Sequence, residues 1–273
     1  MNSKALRVLI LSLQLICFLS SISVCVYGIV IIENVDDSYT YMAAVVRLVI
    51  VLLVTVSYYK SSISNINPGN AFIILALLFL TVSELRVLSY FTTLSGWSIL
   101  PPRVSVRLQL FSQFMLMFLL IGYAIHYQNN EHSSITRFLA LGTAAVLFIS
   151  IMLPATQDIE GIWKMTAPFC VLCILSGTAL FTQLILSFTE PTAMGRLRNL
   201  AILLMIVGNS LSFIFDTFTL TVAGSSVFLL GGFITIVVTL RNSVILEKEA
   251  SVTLRRFSLP PPLRSFCRSS EVR

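Results

Sequence analysis

Charged residues are scarce in this sequence. Of its 273 residues, 11% are Asp, Glu, Lys or Arg and 56% are hydrophobic, whereas soluble domains carry roughly 25% charged residues. With a mean hydropathy of +0.92, a soluble fold would expose larger apolar patches than water tolerates. The shortage of charge therefore excludes an ordinary soluble protein and predicts one whose main partner is the lipid bilayer.

Residues that could carry out catalysis are also few. The chain has only two histidines, His126 and His132, and no HExxH, GxSxG or P-loop motif. An intramembrane metallohydrolase needs several His or Asp ligands at membrane depth, and the sequence does not provide them. We therefore expect a protein that is not an enzyme and that uses no metal and no cofactor.

The cysteines and the positive charge do not indicate a secreted or nucleic-acid-binding protein. Four of the five cysteines fall in apolar stretches and one in the tail, so no disulfide framework is indicated. Much of the formal charge of +6 comes from the last 33 residues, where seven Lys or Arg face three Glu. Next to a membrane span, such an excess of positive charge is explained by contact with anionic lipids and by the positive-inside rule. We expect no nucleic-acid partner.

Apolar stretches of membrane-spanning length follow one another with short, turn-rich connections. The sequence predicts an all-α fold, a polytopic membrane helix bundle of about eight transmembrane helices, with seven as the alternative. The least distinct pair is the last, because 199–240 also reads as one span plus an interfacial piece. The predicted spans are 8–32, 42–59, 71–94, 106–126, 138–153, 166–188, 200–215 and 221–240.

The distribution of charge between the connections predicts the topology. With both termini in the cytoplasm, the cytoplasmic side holds 13 of the 18 basic residues, as the positive-inside rule requires. The acidic connections then lie outside, and only an even number of spans gives this separation. We expect a multi-pass protein, in the inner or cytoplasmic membrane if the source is bacterial.

The chain divides into three parts on composition. Residues 1–240 form the predicted transmembrane bundle. Residues 241–257 continue the last span as a cytoplasmic helical extension, and Pro260, Pro261 and Pro262 prevent the helix from continuing further. Residues 258–273 are predicted to be a disordered basic tail.

Ionisable residues near the hydrocarbon are the candidates for a functional site. A charge near mid-bilayer costs several kcal/mol unless it is paired or hydrated, so it faces the bundle interior. The predicted topology places five such residues in the outer half of the bilayer or at its outer edge, where they form a candidate polar cluster for an anionic small-molecule ligand. The alternative is structural, with arginines reaching the head groups and one internal ion pair. The five are Arg47, Glu84, Arg86, Arg103 and Arg107.

Specific polar contacts can also be predicted. Glu84 is the only acidic residue well inside a span, so we expect it to pair with Arg47 on the preceding span. Arg86, two residues along the same helix, is expected to point elsewhere, because only i+3 and i+4 neighbours face each other. Asn209, with Ser210 and Ser212, is expected to form interhelical hydrogen bonds.

The C-terminal segment carries a resemblance. Residues 254–261 read Leu-Arg-Arg-Phe-Ser-Leu-Pro-Pro, which is similar to the RFLPP-like linker before class III nucleotide cyclase domains, with one inserted serine. A bundle of seven or eight short-looped spans leading into a charged helix resembles the membrane sensory modules of bacterial signalling receptors. The resemblance implies a sensor without its effector, or a truncated form of one, since the chain ends where the output domain would begin.

Two functions remain open at this point. The first is a signal-sensing or partner-binding membrane module that acts through its cytoplasmic helix on a signalling partner. The second is a small-solute transporter or permease-like protein. Transporters usually have polar residues near mid-bilayer and interrupted helices. In this sequence the polar residues lie toward one side of the membrane, which favours the sensing function.

Overall fold

The computed structural model describes residues 3–31, 35–61, 68–88, 101–126, 132–154, 166–214 and 218–258. Within these ranges the chain forms eight α-helices and no strand, which confirms the predicted all-α fold. The predicted tail beyond residue 258 lies outside the described residues. The helices are α1 (Ser3–Ile31), α2 (Val35–Ser61), α3 (Pro68–Ser83), α4 (Pro102–His126), α5 (His132–Met152), α6 (Thr166–Thr189), α7 (Ala193–Ile214) and α8 (Phe218–Ser258).

Seven of the helical segments are long and apolar enough to cross a bilayer, since a crossing takes about 20 residues. The chain is therefore an integral membrane protein with a polytopic helix bundle. The predicted spans agree with these segments to within a few residues, and residues 89–94 of the predicted third span lie outside the described residues. The segments are Val8–Val30, Tyr39–Lys60, Ala71–Leu88, Arg103–His126, Ile135–Met152, Thr166–Thr189 and Phe218–Arg241.

The helix α7 corresponds to the predicted seventh span, 200–215, and is not among those seven segments. Its first turns carry Arg196, Arg198 and Asn199, which lower its hydropathy. It has 22 residues, about 33 Å at 1.5 Å per residue, and it packs against α6 and α8. Its length and neighbours suit a membrane crossing, and the count of eight crossings stays a prediction.

Glycines bring α7 and α8 into backbone contact. A Cβ atom added to Gly208 would lie 2.5 Å from both the carbonyl oxygen of Gly224 and the backbone nitrogen of Phe228. One added to Gly231 would lie 2.7 Å from the carbonyl oxygen of Ala201. The pairing runs in opposite directions along the two helices, so α7 and α8 are antiparallel. Small residues at such positions let membrane helices approach closely.

Burial separates a central group of helices from a peripheral one. The apolar windows of α3 and α4 are 72% and 61% buried, whereas that of α5 is 17% buried and those of α1 and α6 are 28% buried. The peripheral helices present large apolar side chains outward, such as Phe148 at 61% and Phe188 at 80% exposure. These faces suit contact with lipid chains, in keeping with the predicted bilayer partner.

The last helix is the longest. α8 runs as one helix of 41 residues, and its apolar segment ends at Arg241. Within the bundle it packs against α7 and α2. The predicted boundary at 240/241 is not marked by any break in the helix, so the division into bundle and extension stays a prediction.

Candidate functional site

The third span is interrupted where its charged residues lie. α3 ends at Ser83, and the next backbone hydrogen bonds join each N–H to the carbonyl three residues earlier. Glu84 donates to Thr81 at 3.2 Å and Leu85 to Val82 at 3.1 Å, and residues 86–88 are helical again. Such i→i+3 bonds tighten the turn relative to an α-helix. The interruption therefore changes the direction of the side chains that follow it.

Glu84 lies between two arginines. The Nε atom of Arg47, on α2, lies 3.2 Å from Oε1 of Glu84, and Nη2 of Arg47 donates a hydrogen bond to Oε2 at 3.2 Å. From the other side, Nε of Arg86 lies 3.7 Å from Oε2 of Glu84. We call these three residues the ionic triad. The expected pairing of Arg47 with Glu84 is confirmed, whereas the expectation that Arg86 points elsewhere is wrong, because the i+3 and i+4 rule holds only for an uninterrupted helix.

Arg86 also connects the ionic triad to α7. Its Nη1 atom donates to the carbonyl oxygen of Ser212 at 3.3 Å, and its guanidinium carbon lies 5.7 Å from the ring centre of Phe213. A cation over an aromatic face is attracted by the ring's π electrons, and the attraction is greater where water is excluded. The ionic triad thus joins α2, the third span and the end of α7.

The ionic triad is removed from solvent. Arg47 is 1% exposed and Glu84 and Arg86 are each 3% exposed. Close by, Cys25 on α1 and Tyr41 on α2 form an apolar cluster with Ala44 and Val87. In such surroundings a charge keeps its ionised form only with close opposite charges and hydrogen bonds. The stability of each of the three buried charges therefore depends on the other two side chains.

The other two predicted site residues lie elsewhere. Nη1 of Arg107, on α4, donates to the carbonyl oxygens of Ser150 and Leu153 at the end of α5. A cation suits this place, since the last carbonyls of a helix lack partners within it and carry partial negative charge. Arg103 is exposed at the start of α4. The structure brings together three of the five predicted residues, and the proposed anionic ligand stays a prediction.

Among the described residues, side-chain amides form most of the remaining buried hydrogen bonds between helices. Nε2 of Gln14 donates to Oγ1 of Thr55 at 2.8 Å, which connects α1 to α2. Nδ2 of Asn209 donates to Oε1 of Gln113 at 3.0 Å, which connects α7 to α4. Nε2 of Gln183, on α6, donates to a carbonyl of α4. The interhelical contact predicted for Asn209 is confirmed.

The serines near Asn209 differ in their contacts. The hydroxyl of Ser212 donates to the Gly208 carbonyl within α7 at 3.0 Å and lies 3.4 Å from the Thr221 carbonyl on α8. Ser210 has no hydrogen-bond partner among the described residues. The glutamine partners were missed from the sequence, although an amide within an apolar span indicates by itself an interhelical hydrogen bond.

Comparison of the chain with known protein families, with characterised proteins and with solved structures gives no match. The resemblance to bacterial sensory modules therefore stays an expectation. The fold and the site define a class, a polytopic α-helical membrane protein with a buried ionic triad at an interrupted helix.

Proposed function

We propose that this protein is a signal-sensing or partner-binding membrane module that acts through the C-terminal part of α8. The observation that carries the proposal is the continuity of α8. This helix packs against α7 and α2 and extends 17 residues beyond its apolar segment, about 25 Å at 1.5 Å per residue. A continuous helix transmits a shift or rotation from one end to the other. The proposal gives the chain no catalytic step.

A chain of contacts connects the ionic triad to α8. Arg86 contacts the Ser212 carbonyl on α7, and the backbone of α7 lies against that of α8 at Gly208 and Gly224. Packed elements of this kind carry energetic coupling when they have two arrangements. A displacement at the interrupted third span would therefore reach α8 through α7. The cytoplasmic partner would be a signalling protein, in line with the resemblance to modules that precede cyclase or histidine kinase domains.

The proposal requires the α8 extension to lie in the cytoplasm together with the N-terminus. Reporter fusions after residues 60, 137, 196 and 258 are expected to be active only on the cytoplasmic side, because these positions carry the basic excess. A fusion after residue 158 is the control for the outer side. Activity of the residue-258 fusion on the outer side would mean an odd number of crossings and would remove the cytoplasmic output segment.

Photo-crosslinking from the α8 extension tests the proposed partner. A photoreactive amino acid at residue 247, 251 or 255 is expected to give a discrete crosslinked protein in native membranes. The same amino acid at Phe148, which is 61% exposed on the peripheral helix α5, is the control and is expected to crosslink lipid.

Insertions at residue 243 add a test of helical phase. Two inserted residues rotate the later helix by about 200°, whereas seven rotate it by only about 20°. Loss of the crosslink with two residues and its retention with seven supports transmission through a continuous helix. Equal crosslinking in both variants, or none from any extension position, contradicts the proposal.

The interruption of the third span favours a second candidate, a small-solute transporter. Membrane transporters bind substrates at interrupted helices, and here the interruption coincides with three buried charges. Uptake of a labelled small anion, such as acetate or phosphate, into proteoliposomes would favour this candidate if Glu84→Gln abolished uptake. Absence of uptake with intact protein would favour sensing.

A further inference from the structure

A partly open cavity lies between five helices of the bundle, apart from the ionic triad. Its volume is about 40 Å³, and side chains from α2, α3, α4, α7 and α8 line it. One water molecule needs roughly 10–15 Å³ by a comparable measure. The cavity therefore has room for a molecule of a few heavy atoms and is too small for a lipid chain.

The lining is almost entirely hydrocarbon. Eleven of the fourteen lining residues are aliphatic side chains, methionine or phenylalanine, and none is charged. The amide nitrogen of Asn209 already donates to Gln113, and the hydroxyl of Thr235 donates to the Gly231 carbonyl within α8 at 2.8 Å. A water molecule there would find few hydrogen-bond partners, and an apolar cavity accepts apolar guests.

We propose that this cavity binds a small, uncharged, apolar molecule, and that this molecule is the signal the protein senses. The second part rests on the function proposed above. The class follows from the lining and the volume: a charged solute would lose its hydration without gaining a counter-charge, and a long apolar chain does not fit. Molecules such as dissolved gases or very short hydrocarbons meet both conditions.

The position of the cavity couples it to α8. Phe228 and Thr235, two turns apart on α8, both line it. Leu80 lines it one turn before Glu84, and Asn209 lines it one turn before Ser212, whose carbonyl accepts from Arg86. A guest would therefore contact α8, the third span that carries Glu84 and Arg86, and the helix α7 that Arg86 contacts. Since packed cores shift between discrete arrangements, occupancy can change how α8 lies against α7.

Xenon is the probe for the site, because it is apolar, uncharged and of the right size. In the purified full-length protein, crystallography under xenon pressure or ¹²⁹Xe resonance is expected to place xenon among these five helices. Ala76 is 3% exposed and lines the cavity, so Ala76→Val should fill it and abolish binding. Ala144→Val, at an exposed position of α5, is the matched control and should leave binding unchanged.

A second variant keeps the proposal testable if Ala76→Val does not fold. Leu77→Ala, which enlarges the cavity, should increase xenon uptake. Xenon binding that is absent in the native protein, or equal in the native, Ala76→Val and Leu77→Ala proteins, would overturn the proposed site.

Hydrogen exchange of the backbone amides of residues 242–258, with and without xenon, tests the signalling part. A change in exchange that Ala76→Val removes and Ala144→Val keeps is expected. Xenon bound in the cavity with unchanged exchange would overturn its role as the signal. Absence of bound xenon would overturn the proposed site. The proposed function of α8 would still be tested by the crosslinking experiment, so failure of the site and failure of the function are distinguishable.

Discussion

Glu84→Gln is expected to lower the free energy of unfolding by about 3–5 kcal/mol, because removing one partner of a buried ion pair leaves the other charge without compensation. The effect should lie at the upper end, since Glu84 faces both Arg47 and Arg86. In the native protein Arg47 and Arg86 share the Glu84 carboxylate. Without it the two arginines would repel each other, and they are only 1% and 3% exposed, so water would screen this repulsion little. Unfolding of the purified protein in mild detergent, followed by circular dichroism during a denaturant titration, measures the change.

A double mutant separates the interaction from the loss of a side chain. Glu84→Gln with Arg47→Gln should recover part of the stability, because the remaining Arg86 keeps its contacts with Ser212 and Phe213. Arg196→Gln, at an exposed position of α7, is the control and should change stability by less than about 0.5 kcal/mol. If Glu84→Gln unfolds like the native protein but loses a ligand response, Glu84 is a site residue and its structural role is rejected.

Gly208→Ala is expected to destabilise the protein by about 1–3 kcal/mol or more, the cost of overpacking a core. The added methyl group would lie 2.5 Å from backbone atoms of Gly224 and Phe228. Backbone atoms cannot move aside as a flexible side chain can, so α7 and α8 must separate. Because these two helices carry the proposed coupling, the crosslink from the α8 extension should weaken as well.

Gly177 gives a matched control on another helix. A Cβ atom added there meets nothing within 4 Å, so Gly177→Ala should be neutral or stabilise the helix by about 0.5–1 kcal/mol. The denaturant titration measures the free energy of unfolding of both variants. Because both gain the helix propensity of alanine, the difference between them gives the effect of steric contact alone. Equal stabilities for Gly208→Ala and Gly177→Ala would show that α7 and α8 do not touch as described.

The amino-acid sequence by itself determined the class of the protein and the position of most helices. Crossing hydrocarbon requires about 20 apolar residues with every backbone hydrogen bond made within the helix, and this requirement is local, so it can be read from one stretch at a time. The pairing of Glu84 with Arg47 was predictable for a similar reason. A buried carboxylate needs a cation, and few cations lie at a comparable depth.

Only the tertiary structure decided which other residues meet. Arg86 contacts Glu84 because the third span is interrupted at these residues. Arg107 lies outside the predicted cluster and donates to the last carbonyls of α5. The contact of Gly208 with α8 and the cavity beside Asn209 also depend on how five helices pack together. The physical reason is that hydrophobicity and charge specify whether a side chain is buried, whereas its partner depends on the relative position of helices far apart in the chain.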